Sequence, residues 1–311
     1  MSEDLVRAAT ETIARGSKSF AAASRLFGRE TREGAVMLYA WCRHCDDVVD
    51  EQELGFARGD GEVAASSARD RLSQLEARTR SALAGEAQAE PAFAALQAVA
   101  RRHAIPERLP LQHLAGFRMD IEGRRYETIG DTLDYAYHVA GVVGVMMAHV
   151  MGVRDPAVLD RASDLGLAFQ LTNIARDIVE DAGIGRVYVP EAWLREAGIP
   201  PEEVAEPRHR PALAGVASRL VEAAEPYYAS ARIGIAALPP RSAWAIATAH
   251  GVYRQIGIEV RRRGAAAWDE RVSTSKLQKL RHVGTGGLEA LLTRVPRPSA
   301  QPRRGLYRRP A

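Results

Sequence analysis

Apolar residues recur along the chain at the three- and four-residue steps of amphipathic helices, and no convincing run alternates with the two-residue period of a strand. Helices are predicted over residues 3–15, from about 31 to near Gly55, and over 66–84, 90–104 and 111–122. An uncharged helix follows, then one from Asp155 to Gly183, and further helices over 212–237, 240–263 and 273–293. The punctuation agrees with these bounds. Thr31 suits an N-cap with Glu33 in the first turn, Asp131 caps the uncharged helix, and Asp155 followed by Pro156 opens the longest one. Pro190, Pro200, Pro201, Pro207 and Pro211 make the stretch between them largely irregular with short helices, and the glycines of 55–65 mark a loop. The pattern predicts an all-α fold, a single-domain bundle of long helices around a central cavity.

The polar positions that interrupt the apolar faces carry the candidate chemistry. In GLAFQLTNIARDIVEDAGIGRVYVP (166–190), Gln170, Asn173, Asp177 and Asp181 recur at steps of three, four and four, so they form one stripe on a helix. Tyr39, Arg43, Asp46 or Asp47, and Asp50 repeat the device on the helix containing YAWCRHCDDVVDE. Apolar residues precede both stripes, whereas a solvated acidic face usually sits in charged sequence. Carboxylates converging in a low-dielectric cleft repel unless something positive lies between them. Mg2+, which takes a few carboxylates, retained waters and phosphate oxygens, answers that need, and two acidic helices facing one another would clamp a diphosphate through it. Gly183 and Gly185 flank a turn leading to Arg186 and Tyr188, where the Arg is either a bidentate grip on a phosphate or an ordinary solvated loop residue.

No Asp, Glu, Lys or Arg stands between Asp134 and Arg154, a stretch long enough to be weighed as a membrane span. Its two His and two Tyr residues, and a position that would put the acidic stripes on opposite sides of a bilayer, favour a central buried helix. Tyr137, Gly141, Gly144 and Ala148 share one face of it. That face either lets another helix pack closely or hollows a groove for an apolar ligand.

Composition changes this picture little. The 311 residues are 26% charged and 46% hydrophobic with a net charge of +3, too small a balance to argue for nucleic acid. Cys42 and Cys45 lie one helical turn apart without a second pair, so they read as reduced packing residues. The N-terminus fits neither a secretory signal nor a transit peptide. After Glu289 no acid appears, and Arg294, Arg297, Arg303, Arg304, Arg308 and Arg309 alternate with prolines. Residues 1–293 are therefore read as the folded domain and 294–311 as a disordered solubilising tail, with contact to anionic lipid as the second reading.

Five motifs together, GSKSF (16–20), MLYAWCRHCDDVVD (37–50), YHVAGVVGVMMA (137–148), LGLAFQLTNIARDIVEDAGIGRVYVP (165–190) and RSAWAIATA (241–249), give a strong resemblance to squalene/phytoene synthases, and among them to the bacterial phytoene synthases. The resemblance covers the chain to about Asp269. It implies the class I isoprenoid-synthase fold and a Mg-dependent prenyltransferase joining two geranylgeranyl diphosphates head to head, through prephytoene diphosphate, to phytoene in carotenoid biosynthesis. It implies Mg2+ as cofactor, with Mn2+ as a substitute. Asp46, Asp47 and Asp50 resemble the first metal cluster and Asp177 with Asp181 the second, completed by Gln170 and Asn173. Arg43, Arg176, Arg186 and Tyr188 resemble diphosphate-binding positions, with Arg271 a further phosphate contact. Ser17, Ser19 and Phe20 would line the entrance, with Tyr39, Tyr137 and Tyr253 in the cavity; Tyr137 and Arg176 are also expected to serve catalysis.

No dinucleotide fingerprint is present, and NADPH is not expected. The nearest rival function condenses two farnesyl diphosphates to presqualene diphosphate, squalene or the shorter carotenoid precursor diapophytoene; the small residues Ala21 to Ser24 leave depth for the longer chain instead. A di-iron bundle would need Glu-x-x-His pairs on facing helices, and Glu206 to His209 stands alone among prolines. An inactive scaffold is disfavoured because both acidic stripes, their amides and the nearby arginines are intact. The expected location is cytoplasmic, with peripheral association on the inner face of the membrane allowed by lipophilic substrates, and no oligomeric state is assigned.

Overall fold

Asp155 caps the longest helix as its sequence predicts, its carboxylate accepting from Ala157 N at 2.9 Å with Pro156 in the first turn. The computed structural model describes residues 3–16, 23–49, 52–53, 56–57, 68–292 and 303–310. Ser17, Ser19, Phe20 and Asp50, with most of the 55–65 loop, lie outside the described residues. The helices are α1 (Glu3–Gly16), α2 (Arg29–Val49), α3 (Ala68–Leu83), α4 (Pro91–His103), α5 (Arg108–Ile121), α6 (Ile129–Ala136), α7 (Val142–Val150), α8 (Pro156–Gly183), α9 (Glu191–Glu196), α10 (Arg210–Gly234), α11 (Pro240–Arg263) and α12 (Lys276–Leu292). Two short antiparallel pieces, Gln52–Glu53 and Phe56–Ala57, are the only strands among the described residues. Short 3-10 turns at Pro201–Glu203 and Pro207–His209 fill the proline-rich stretch. The fold is all-α, as the hydrophobic pattern predicts.

Two caps differ from expectation. The first acidic helix begins at Arg29, ahead of Thr31. Thr128, not Asp131, is the N-cap of α6; Asp131 is its partner three residues on, accepting from Thr128 N at 2.8 Å in a capping box.

α8 forms the axis of the bundle, packed against α7, α10 and α11. Between α6 and α7 the chain makes a π turn over Tyr137–Gly141, in which Val142 N donates to Tyr137 O. Such a turn adds a residue to the helix and rotates everything after it relative to everything before. The predicted common face of Tyr137, Gly141, Gly144 and Ala148 is therefore broken. Gly144 reaches the central cavity, whereas Tyr137 is turned into the core, where its hydroxyl donates to Gln112 Oε1 at 2.7 Å. The small residues serve close packing first: a methyl on Gly166 would fall inside the Ala140 carbonyl, and one on Gly144 inside the Ala162 carbonyl.

The C-terminal segment departs most from expectation. Residues 303–310 are not disordered but docked on α8 and α6. Asp164 is fully buried, and Arg303 meets it with two hydrogen bonds, at 2.6 and 2.7 Å, while Ser230 Oγ donates to the same carboxylate at 2.6 Å. Tyr307 OH donates to Asp134 at 2.8 Å and Arg309 pairs with Asp160 at 2.6 Å. Composition reads this segment as disordered, yet each of these side chains has a carboxylate waiting on the bundle.

Replacing Arg303 by Met leaves a buried carboxylate without its countercharge, and urea melts should show a loss of about 3–5 kcal/mol, partly recovered when Asp164 is also made Asn. Gly166→Ala should cost about 1–3 kcal/mol through overpacking. Gly215→Ala on α10, which meets nothing within 4 Å, should leave the melting temperature unchanged or slightly raised.

Candidate active site

α2 and α8 each bring part of their polar stripe to one cavity of ≈ 710 Å³. Tyr39, Arg43 and Asp46 reach it from α2, Gln170 and Asn173 from α8, Arg186 from the turn after α8, and Tyr253 from α11. The remaining wall is mostly apolar, with Phe27, Val143, Met147, Met151, Leu165 and Phe169 among its side chains. Phe169 and Tyr253 stack at 4.0 Å between centroids, and burial raises the Tyr253 phenol. Thus seven of the expected residues converge on one space. Asp47, Arg176, Asp177, Asp181, Tyr188 and Arg271 do not line it, and neither does Tyr137.

Arginines divide the acidic stripes. On α2, Arg43 pairs with Asp46 at 2.9 Å and with Asp47 at 2.7 Å. Asp47 is buried against Arg43, whereas Asp46 is half-exposed at the cavity wall. The sequence left Asp46 and Asp47 interchangeable; the helix separates them into one that faces the cavity and one that holds an arginine in place. On α8, Asp177 accepts from Arg176 Nε at 2.8 Å and from Arg271 Nη2 at 3.0 Å, and Arg271 also approaches Glu180 at 4.0 Å. Arg271 therefore meets the second stripe from beyond α11.

What the arginines leave unsatisfied is oxygen. Burial together with the neighbouring Asp177 and Glu180 pushes the Asp181 carboxyl up to about 7, against the pull of Arg186 and Arg176. Asn173 donates to Gln170 Oε1 at 3.4 Å, while its own Oδ1 is buried with no hydrogen-bond partner. Among the described residues no three His, Cys, Asp or Glu side chains stand together as a ready-made metal cluster. The donor set is nonetheless carboxylate and amide oxygen, the chemistry of a hard cation.

Several lining residues were missed by sequence reading. Asp120 on α5 accepts from Tyr188 OH at 3.0 Å and from Tyr135 OH at 3.1 Å, and those two rings stack at 4.4 Å. Tyr188 thus acts through Asp120, and burial and that carboxylate drive its phenol far above the usual range. A single acid with no partner one turn away gives no periodic signal, and its tyrosines come later in the chain. Arg161 and Lys279 also line the cavity without a sequence motif. His113 lines it as a neutral ring, lowered to about 4 by burial. Cys42 and Cys45 are free, and burial pushes the Cys42 thiol up to about 12, as suits packing residues.

Known proteins share this arrangement of sequence and fold. The chain is 54% identical over 303 residues to a phytoene synthase of Pseudescherichia vulneris, covering 97% of each chain. It is 55% identical over 299 residues to a 15-cis-phytoene synthase of Pantoea ananas, covering 95% of this chain and 96% of that one. The crystal structure of a dehydrosqualene synthase in complex with ligand superposes with a TM-score of 0.79 at 26% identity, over 91% of this chain and 95% of the other. The family model for squalene/phytoene synthases matches residues 13–278, and the chain belongs to that family.

Proposed function

We propose that this protein is a phytoene synthase, joining two geranylgeranyl diphosphates head to head without a reductant. The observation that carries the reading is identity above 50% to phytoene synthases across nearly the whole of both chains, with Tyr39, Arg43, Asp46, Gln170, Asn173, Arg186 and Tyr253 gathered on one apolar cavity.

In the first step the bond from C1 of one prenyl chain to its diphosphate breaks, and the resulting allylic cation is attacked by the double bond of the second chain. Loss of a proton closes a cyclopropane that still bears the second diphosphate, giving prephytoene diphosphate. Departure of that diphosphate, rearrangement and loss of a second proton yield phytoene. Mg2+, or Mn2+ in its place, would be held by Asp46, Asp50, Asn173, Asp177 and Asp181 and would neutralise the leaving diphosphate, while Asp47, expected from the sequence as a further ligand, is taken up by Arg43. The unpartnered Asn173 Oδ1 and the crowding at Asp181 support that assignment. Arg43, Arg186 and Lys279 bring positive charge to the same wall, and Arg176 and Arg271 orient Asp177. The apolar wall keeps water from the cations, and the stacked Phe169 and Tyr253 offer π faces to them. Ser17, Ser19 and Phe20 are assigned to the entrance, while Tyr137 and Tyr188 support the site from behind it.

The second reading, condensation of two farnesyl diphosphates, draws on the likeness to a dehydrosqualene synthase. No helix among the described residues is long and apolar enough to cross a membrane. The lipophilic substrates of the proposed reaction place the enzyme in the cytoplasm, working peripherally at the membrane.

Purified protein given Mg2+ and geranylgeranyl diphosphate should form a forty-carbon hydrocarbon with or without NADPH. Thirty-carbon products from farnesyl diphosphate alone would move the function to the second reading. Asp46→Ala and Asp177→Ala should each lower kcat by about 10²–10³, as removal of a group stabilising the developing charge does, and steady-state kinetics showing either variant at full turnover would remove that carboxylate from the metal site.

A further inference from the structure

A surface helix ordinarily turns its large aliphatic side chains toward the core. α12 does the reverse. Its buried positions are Gly286 and Ala290, while Leu277, Leu280, Leu288, Leu291 and Leu292 are between 51% and 77% exposed. At 3.6 residues per turn these five leucines occupy about one third of the helix circumference. Arg281 and Gly284 share that stripe, both exposed, and no acid does. The one acid of the helix, Glu289, lies to its flank and pairs with Arg232.

The orientation is imposed by tight seating. Trp244 Nε1 donates to Val283 O at 2.8 Å, and a Cβ on Gly286 would stand 2.7 Å from Thr248 Oγ1 and 2.8 Å from Thr248 N. The leucine side chains have no room where Gly286 sits. A capping box holds the helix start, with Ser275 N donating to Gln278 Oε1 at 2.8 Å and Gln278 N to Ser275 Oγ at 3.2 Å. On the inner side Lys279 and Val283 line the catalytic cavity. α12 is therefore a wall one helix thick, with the cavity on one side and the leucine stripe on the other.

We propose that α12 is an interfacial helix that seats the enzyme on an anionic lipid bilayer, its leucines entering the acyl boundary and Lys276 and Arg281 meeting the headgroup phosphates. The proposal deepens the reading of a synthase with lipophilic substrates and rests on it for the use of the contact, not for the contact itself. Charge selects the occupant. The stripe carries one base, Arg281, and no acid, Lys276 stands beside it, Arg294 and Arg297 follow it in the sequence, and no acid appears after Glu289. A second copy of the chain would bring like charges together across the stripe. Seated this way, the bilayer lies about one helix diameter, roughly 10 Å, from the cavity wall.

The test is co-sedimentation of the full chain with vesicles of phosphatidylglycerol and phosphatidylcholine, and of phosphatidylcholine alone, without substrate. The wild type should bind the anionic vesicles, and binding should fall at least about tenfold in the variant Leu280→Gln with Leu288→Gln, two exposed positions outside the site. Arg281→Gln should weaken binding to anionic vesicles and leave the weak binding to phosphatidylcholine unchanged. Turnover of detergent-dispersed substrate should stay within twofold of wild type in all variants. A wild type that remains in the supernatant with anionic vesicles overturns the proposal, as does a double-leucine variant that binds like wild type. Self-association that the leucine changes abolish, with no vesicle binding, would assign the stripe to a second copy and overturn it equally. Because the assay contains no substrate, thirty-carbon product or none in the activity assay would overturn the functional reading while leaving this result to be judged separately.

Discussion

Carboxylates set among apolar helices are the constraint to which the rest of this structure answers. Removing such a group from water costs several kcal/mol unless an opposite charge and hydrogen bonds replace the solvent. Each buried acid described above is met in that way: Asp47 by Arg43, Asp177 by Arg176 and Arg271, and Asp164 by Arg303 and Ser230. The exceptions matter most. Asp181 is crowded by Asp177 and Glu180, and the Asn173 oxygen has no partner. A protein that neutralises its other buried acids with such regularity and leaves these oxygens concentrates unmet negative potential at one end of α8.

The cavity beside them depends on backbones that touch. Gly144 and Gly166 let α8 approach α7 and the π turn before it until a carbonyl of each partner occupies the space of a methyl group. The same glycines also border the cavity, so close packing and a hollow for an apolar ligand are not rival uses of one face. Small residues draw the helices together on one side and leave open volume on the other. The π turn before α7 sets which residues see that volume, bringing Val139, Ala140 and Val143 to the wall and sending Tyr137 to the core.

The sequence made the helices legible because amphipathic periodicity is a local signal, and it made the acidic stripes legible because their spacing is helical. It did not distinguish Asp46 from Asp47, since adjacent residues on a helix differ by a rotation that only the neighbouring elements convert into cavity or core. Tyr137 was misplaced for a related reason: an added residue in a π turn leaves no mark in composition, and the predicted face assumed an unbroken helix. Asp120 was invisible because its tyrosine partners, Tyr135 and Tyr188, come from elsewhere in the chain. The tail was read from its abundance of Arg and Pro, which measures average solvation. The order of residues 303–310 instead comes from single partners, the buried Asp164 above all, that composition cannot register.

α12 joins these observations. Gly286 seats it against Thr248 much as Gly166 seats α8 against Ala140, so in both places the smallest residue faces inward and fixes which side chains face elsewhere. In α8 the displaced side chains are the polar groups of the site. In α12 they are leucines, and nothing among the described residues covers them. Exposed leucine is unfavourable in water by about 1.5–3 kcal/mol for each side chain that could be buried instead. Arranged as a stripe behind the wall of a cavity built for apolar chains, that unfavourable surface becomes the side from which a lipid phase can be met.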